Sequence, residues 1–412
     1  MTPLPPLSAE QSVKPGHFEL RMSLLFAAIF IPAGIHLPYF PLWLEAAGFG
    51  PAEIGVILSA PMFLRVLTTP FVTALADKAR DRVDVLLVTV VVSLVACIGY
   101  FLTSSYALIL VVSLVLAVFW TPQVPLVDSL AMSGVRRYAM DYSRVRIWGS
   151  ASFLMTSLVG GMVLGATGIG AVPAFMMGGL GATLAAALLA PRLGRPRLAS
   201  PLSAAGFQDA SPALLNRRFL YFLCGAGLIT ASHGFVYGFS SIYWASLGIG
   251  EGTVGLLWGW GVAAEVAVFM VFTRLFGRMS PSHLLVIAGG AAVIRWGAFP
   301  LIWPSGLGVP GYFLVQTLHA ASTGLVLLGV QKMIAETVAD HRFGAAQGIA
   351  FFANGVTMAA VTLASGPLYE HFGAGGFFVM AGVAMLGTVL IVVGARRHPH
   401  RAGAGGDTND PS

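Results

Sequence analysis

Twelve long stretches of almost uncharged residues recur along this chain, at about 20–43, 51–76, 84–103, 106–133, 143–166, 170–191, 218–245, 252–276, 283–303, 310–334, 344–367 and 374–395. A hydrocarbon layer about 30 Å thick is crossed by roughly 20 apolar residues wound as a helix. Backbone N–H and C=O groups cannot be left bare in lipid, so helices are the form such runs must take. Only 10% of the 412 residues are charged and 57% are hydrophobic, whereas soluble domains carry roughly 25% charged residues. With a mean hydropathy of +0.82, no soluble fold of this size could bury the apolar surface. The chain is expected to be an all-α integral membrane protein of twelve transmembrane helices.

The basic residues predict its orientation. Of 23 Lys and Arg, Arg65 and Arg295 fall inside apolar runs, and the others lie at the termini or beside the connections that follow runs 2, 4, 6, 8 and 10. The alternate connections carry none. This is the positive-inside pattern, with both termini cytoplasmic. The net charge of +6 is thus a topology signal, not a sign of a nucleic-acid partner. Cys97 and Cys224 stand alone in apolar runs and predict neither a disulfide nor a metal site. The polar start, residues 1–19, lacks the basic n-region and short apolar core of a cleaved signal, so the first run is expected to be retained. Residues 396–412 read as a disordered cytoplasmic tail.

The chain also repeats itself. At an offset of 200 residues Gly48, Gly50 and Gly55 fall on Gly248, Gly250 and Gly255, Ile54 on Val254, and Arg65 on Glu265. At an offset of 199, Asp141, Gly149 and Phe153 fall on Asp340, Gly348 and Phe352. The one long polar connection lies between the copies. The organisation expected is therefore two six-helix bundles, 20–191 and 218–395, joined by a cytoplasmic loop at 192–217. An even number of spans per copy makes the repeats parallel, and duplicated membrane bundles place their site at the repeat interface. Pro32, Pro38 and Pro41 crowd the first run, where bends are expected.

Ionisable residues at membrane depth cost about 2.5 kcal/mol or more each and face the bundle interior. The candidates are Arg65, Asp128, Arg146, Glu265, Arg295 and His319, with His36 and His233 as packing or gate residues. Arg65, Glu265 and Arg295 suit either an ion pair that locks helices or a functional role. For Asp128 and Arg146 a functional role is the better reading: an approaching Arg favours the ionised carboxylate, so a moving Arg would load or release a proton. Trp148 follows Arg146 by two, Trp296 adjoins Arg295, and Trp258 and Trp260 precede Glu265. An aromatic face beside an Arg can hold a flat ligand with an anionic group. Asp77, Lys78, Arg80 and their neighbours form an acidic–basic cluster after the second run that could pin inward helix ends together and break on opening.

With six plus six spans, a long middle connection and that cluster, the chain resembles the major facilitator superfamily. Thr73 and Ala79-Arg80 depart from the superfamily's Gly-containing loop pattern. A closer resemblance, carried by PLVDSLA (125–131), DYSRVRIWGS (141–150), YGFSSIYW (237–244), GVAAEVAVF (261–269) and VIRWG (293–297), is to the 3-phenylpropionate transporter family, relatives of the lactose permease-like proton symporters. The resemblance implies that Asp128 and Arg146 contact substrate and that Glu265, Arg295 and His319 serve proton coupling. Those symporters have a second carboxylate one turn after the histidine; here Ser322 takes its place, so the proton falls to Glu265 or Asp128.

The expected function is uptake of a small aromatic carboxylic acid across a bacterial cytoplasmic membrane by alternating access. Substrate would be held by Arg146, Asp128, Trp148, Arg65 and Arg295, with protons handled by Glu265, Asp128 and His319. No phosphate-binding loop is visible, so a proton gradient, and no cofactor or metal, is expected to supply the energy. A monomer with a small-molecule substrate and the lipid bilayer as partners is expected. The rivals are a sugar or nucleoside symporter, an efflux carrier, an integral membrane enzyme, and a transport-dead sensor. The scattered histidines disfavour the enzyme.

Overall fold

The computed structural model describes residues 12–102, 104–196, 217–338 and 343–397. Most of the middle connection, the repeat position Asp340, Arg342 and the C-terminal tail lie outside these residues. The helices are α1 (Phe18–Ala46), α2 (Pro51–Lys78), α3 (Arg82–Leu102), α4 (Tyr106–Tyr138), α5 (Tyr142–Thr167), α6 (Ile169–Leu188), α7 (Arg217–Ser246), α8 (Glu251–Leu275), α9 (Pro281–Leu301) and α10 (Gly308–Thr337). Then follow α11 (Phe343–Phe372) and α12 (Gly376–Arg397). These last two form one apolar stretch of 53 residues, too long for one crossing, and a turn at Gly373–Gly375 divides it. The described residues contain no strand.

The helices pack as two groups. In one, α1 packs on α5 and α6, α2 on α4, and α3 on α6; in the other, α12 packs on α7 and α9, and α7 on α11. The groups meet along two helix pairs, α2 with α11 and α5 with α8. Lipid tails are as apolar as leucine, so close backbone approach rather than hydrophobicity holds such pairs. A Cβ on Gly55 would lie 3.1 Å from Gly366 Cα, and one on Gly255 2.2 Å from the Ser157 carbonyl oxygen. Tyr39 Oη donates to Ser157 O at 2.5 Å and approaches Glu251 O at 3.3 Å, which adds a polar clasp between the groups.

The repeated glycines do equivalent work in each copy. Gly48 and Gly248 both have positive φ, +94° and +78°, where a side chain is strained. Gly50 and Gly250 are the extended N-cap residues of α2 and α8. The next pair, Gly55 and Gly255, provides the two close approaches just described. The sequence echo is therefore an echo of one hinge-and-contact device.

Three prolines leave α1 a single helix of 29 residues. A proline in a helix frees the carbonyl four residues earlier, and in lipid that oxygen needs another donor. For Pro32 the freed oxygen is Ala28 O, which accepts from Thr183 Oγ1 at 3.0 Å. For Pro38 it is Gly34 O, which accepts from Ser157 Oγ at 3.0 Å. Tertiary partners on α6 and α5 thus replace the lost helix bonds. Interruptions occur instead in α4 at Trp120–Pro122, in α7 at Ser232–His233, and in α10, where Ala320–Gly324 form a π-helical turn.

The glycine contacts between the groups run from the face opposite the basic connections to mid-membrane, where Gly355 meets Val66 and Gly259 meets Leu154. That face is sealed. The interior beyond it holds the chambers described next.

Candidate functional site

Three adjoining chambers lie between the helices. The first, about 390 Å³, is lined by stripes of α1, α2 and α4, closed by Tyr100 of α3, and by Tyr237, Gly238 and Thr362 from the second group. The second, about 260 Å³, is lined by Phe30, Arg146, Trp258, Glu265, Arg295 and His319 among others. The third, about 400 Å³, lies within α7, α10 and α11 and presents His233, Ser322, Gln331, Gln347 and Asn354. Tyr237 lines all three. The first and third fall within the size range of small-molecule sites, roughly 300–1,000 Å³.

The second chamber holds a connected polar network. Arg295 is 1% exposed. Its Nη2 donates to Gln316 Oε1 at 2.5 Å, and its Nη1 donates to His319 Nδ1 at 3.0 Å and Ser322 Oγ at 3.3 Å. Gln316 Nε2 donates in turn to Leu257 O at 3.0 Å. A guanidinium has no acceptor, so His319 Nδ1 must accept. The neutral ring then carries its proton on Nε2, 3.9 Å from Glu265 Oε2. His233 is oriented by the same logic. Its Nδ1 donates to Ile229 O at 3.1 Å, so its Nε2 accepts from Ser322 Oγ at 3.1 Å. The π-helical turn of α10 directly follows His319 and presents Ser322 and Thr323 to this network; such turns are frequent at functional sites.

Arg146, on α5, also lines the second chamber. Its guanidinium lies 4.5 Å from the centre of the Phe30 ring and 5.6 Å from that of Phe26, a cation–π arrangement. Gly149 makes this possible, since a Cβ there would lie 2.8 Å from Phe30 and 2.9 Å from Arg146 Nη1. Asp128 does not pair directly with Arg146. It accepts from Tyr142 Oη at 2.9 Å, lies in the field of Arg146, and lines none of the three chambers. Glu265 lies in the fields of Arg146 and Arg295.

Arg65 lies apart from this network, in the first chamber. Among the described residues it has no ion-pair or hydrogen-bond partner, and its electrostatic neighbour is the Tyr237 hydroxyl.

Two expectations need correcting. Trp148 is 54% exposed and lines no chamber: at about 100° per residue, two positions place it on the opposite side of α5 from Arg146. The ring beside the charges is instead Trp258, two turns before Glu265; it donates to Ser241 Oγ at 3.0 Å and stacks on Tyr237. Trp260 is 47% exposed and turned away. The cluster after α2 is also wired differently. Asp77 Oδ1 pairs with Arg82 Nη2 at 2.6 Å, and Arg82 donates to Ser129 O and Ser133 Oγ on α4. Lys78 and Arg80 are exposed. These contacts tie the end of α2 to the start of α3 and to α4.

Sequence reasoning missed Tyr237, Gln316, Thr323 and Phe30. Each is unremarkable by type, and only the crossing of α1, α7 and α10 gathers them. Two signals were available: Tyr237 lies in the resemblance segment 237–244, and Phe30 lies two residues before Pro32 in the proline-rich run of α1. Among the described residues no group of three or more His, Cys, Asp or Glu could hold a metal ion.

Comparison with known proteins agrees with this architecture. The MFS_1 like family model matches residues 19–380. The chain is 30% identical over 366 residues to the "Probable 3-phenylpropionic acid transporter" of Escherichia coli (strain K12), covering 88% of this chain and 94% of that one. It is 26% identical over 387 residues to the maltose permease of Geobacillus stearothermophilus, covering 92% and 95%. The solved structure of the nucleoside transporter NupG matches with a TM-score of 0.79 at 16% identity, covering 92% of this chain and 99% of that one, a likeness of fold alone.

Proposed function

The chain belongs to the MFS_1 like family and is a multi-pass secondary transporter rather than an enzyme; from that premise we propose that it takes up a small aromatic carboxylate together with protons. The observation that carries this reading is the charge balance of the chambers. The charged side chains lining the first two are Arg65, Arg146, Arg295 and Glu265, and the third has no charged lining residue. Three cations against one carboxylate in the linings, with Asp128 outside them in the field of Arg146, leave a site that an anionic solute would balance. The aromatic walls supply the apolar part of the recognition. The similarity to a protein named for 3-phenylpropionic acid supports the same class.

Glu265 is the proton carrier in this reading. It faces the Nε2–H of His319 and shares a chamber with Arg146, so its proton affinity depends on how near those groups stand. By the positive-inside rule the basic connections and both termini face the cytoplasm; in this reading the present conformer is closed on the outer side of a bacterial cytoplasmic membrane. The chain acts as a monomer and needs no cofactor.

The test is uptake of labelled 3-phenylpropionate by the purified protein in proteoliposomes, with and without an inwardly directed proton gradient (acid outside). Uptake that the gradient accelerates supports the proposal. Gradient-insensitive uptake removes the proton, accumulation only against the opposite gradient indicates efflux, and transport of nucleosides or sugars in place of aromatic acids supports the rival reading.

A further inference from the structure

We propose that Arg65 is the anchor for the substrate's carboxylate, in a chamber walled mainly by the first six helices, and that Arg146 and Arg295 serve the coupling network instead. This rests on the aromatic-acid reading above and deepens it by locating the anion.

The three arginines are not equivalent. Arg295 already donates to Gln316, His319 and Ser322 and is almost fully enclosed. Arg146 lies on two aromatic rings and in the fields of both Asp128 and Glu265. Arg65 has no carboxylate and no hydrogen-bond partner among the described residues, yet it lines the first chamber. A guanidinium in apolar surroundings with neither a counter-charge nor a hydrogen-bond partner is the one of the three that a bound anion has most to offer. It is also the one whose donors are free to grip a carboxylate in two places.

The walls around Arg65 define the rest of the ligand. On α2 the lining residues Ile57, Leu58, Pro61, Met62 and Arg65 form one stripe. At 1.5 Å per residue the stripe is about 12 Å long. Arg65 stands at its basic-face end. At the other end α1, running antiparallel, brings His36, Phe40 and Pro41, and α3 brings Tyr100. His36 stacks on Phe40 with ring centres 4.5 Å apart and meets Trp120 edge-on at 5.1 Å, while Phe40 and Tyr100 lie 5.3 Å apart. A cation at one end and an aromatic box at the other fit a ring that carries its carboxylate on a short flexible arm. Tyr237 closes the chamber from α7 and lies in the fields of Arg65, Arg295 and Glu265. It therefore stands between the bound anion and the coupling network.

The experiment measures binding of 3-phenylpropionate and its uncharged amide to the purified full-length protein by calorimetry, with tryptophan fluorescence as a readout of place. The variants are Arg65→Gln, Arg65→Lys, Arg146→Gln and Trp120→Phe. The proposal expects Arg65→Gln to weaken the acid at least 30-fold and the amide less than threefold. Arg65→Lys should lie between, which separates anion binding from a folding role. Arg146→Gln should keep binding within about threefold while losing gradient-driven uptake. Trp120→Phe should remove most of the ligand-induced fluorescence change. If Arg146→Gln loses the acid while Arg65→Gln keeps it, the anchor is misplaced, but the aromatic-acid reading survives. If the wild type binds and transports no aromatic acid, both readings fall.

Discussion

Arg295 and His319 are joined by a hydrogen bond of 3.0 Å from guanidinium Nη1 to imidazole Nδ1, and this one contact sets the tautomer of the histidine. The proton is left on Nε2, the nitrogen nearest Glu265 at 3.9 Å. A cation on α9 thereby fixes which way the histidine of α10 faces the carboxylate of α8.

Glu265→Gln should therefore separate binding from coupling. A neutral amide can accept the His319 N–H but cannot take up a proton. Uptake driven by a pH gradient is expected to fall at least 20-fold, while counterflow exchange of substrate persists within about threefold. Equal loss of both in proteoliposomes would give Glu265 a different role.

Removing the arginine should be a folding lesion first. Arg295→Ala strands the Gln316 Oε1 that Nη2 holds at 2.5 Å and leaves a cavity where a buried side chain stood. Leaving a buried acceptor unsatisfied typically costs about 1–3 kcal/mol, before the cavity is counted. A marked fall in the detergent-solubilised melting temperature is expected, larger than for Arg65→Ala or Arg146→Ala, which have fewer protein hydrogen bonds to lose.

Gly255→Leu should change which face is open. A Cβ there would lie 2.2 Å from Ser157 O and 2.3 Å from Tyr39 Oη, and neither backbone can yield without parting α5 from α8. The sealed face is expected to open. Spin labels at its two rims should move apart, and labels at the basic face should close together. Unchanged distance distributions would show that the seal does not depend on this contact.

Trp148→Ala should leave substrate affinity within about twofold, since the ring lies outside the chambers. Trp258→Ala, by contrast, removes the ring that stacks on Tyr237 and should weaken binding by tenfold or more. Calorimetric titration of both variants distinguishes them.

Within the cluster after α2, stability should depend on Arg82 rather than on Lys78 or Arg80. Arg82→Ala breaks its contacts to Asp77, Ser129 and Ser133; hydrogen bonds to charged groups are each worth about 1.5–3 kcal/mol. Lys78→Gln and Arg80→Gln, which change exposed residues, should be near neutral. Thermal unfolding provides the comparison.

Sequence alone determined the solvent, the helical class, the duplication and the depth of the charges, because each follows from one-dimensional quantities. Run length sets what crosses lipid, charge spacing sets which connections stay on one side, and a fixed offset reveals a repeated unit. Even the bonds that rescue the prolines are half visible, since Pro32 and Pro38 name the oxygens that must find donors. The donors themselves, Thr183 and Ser157, emerge only when α6 and α5 lie against α1. The site was legible as an inventory of ionisable residues and not as an arrangement. Helical phase put Trp148 outside and Trp258 inside, and Tyr142 came between Asp128 and Arg146. Arg65 and Arg295 read alike in the sequence, as lone arginines in apolar runs. Tertiary structure gave Arg295 three acceptors and left Arg65 facing an aromatic chamber, because partners at membrane depth come from other helices.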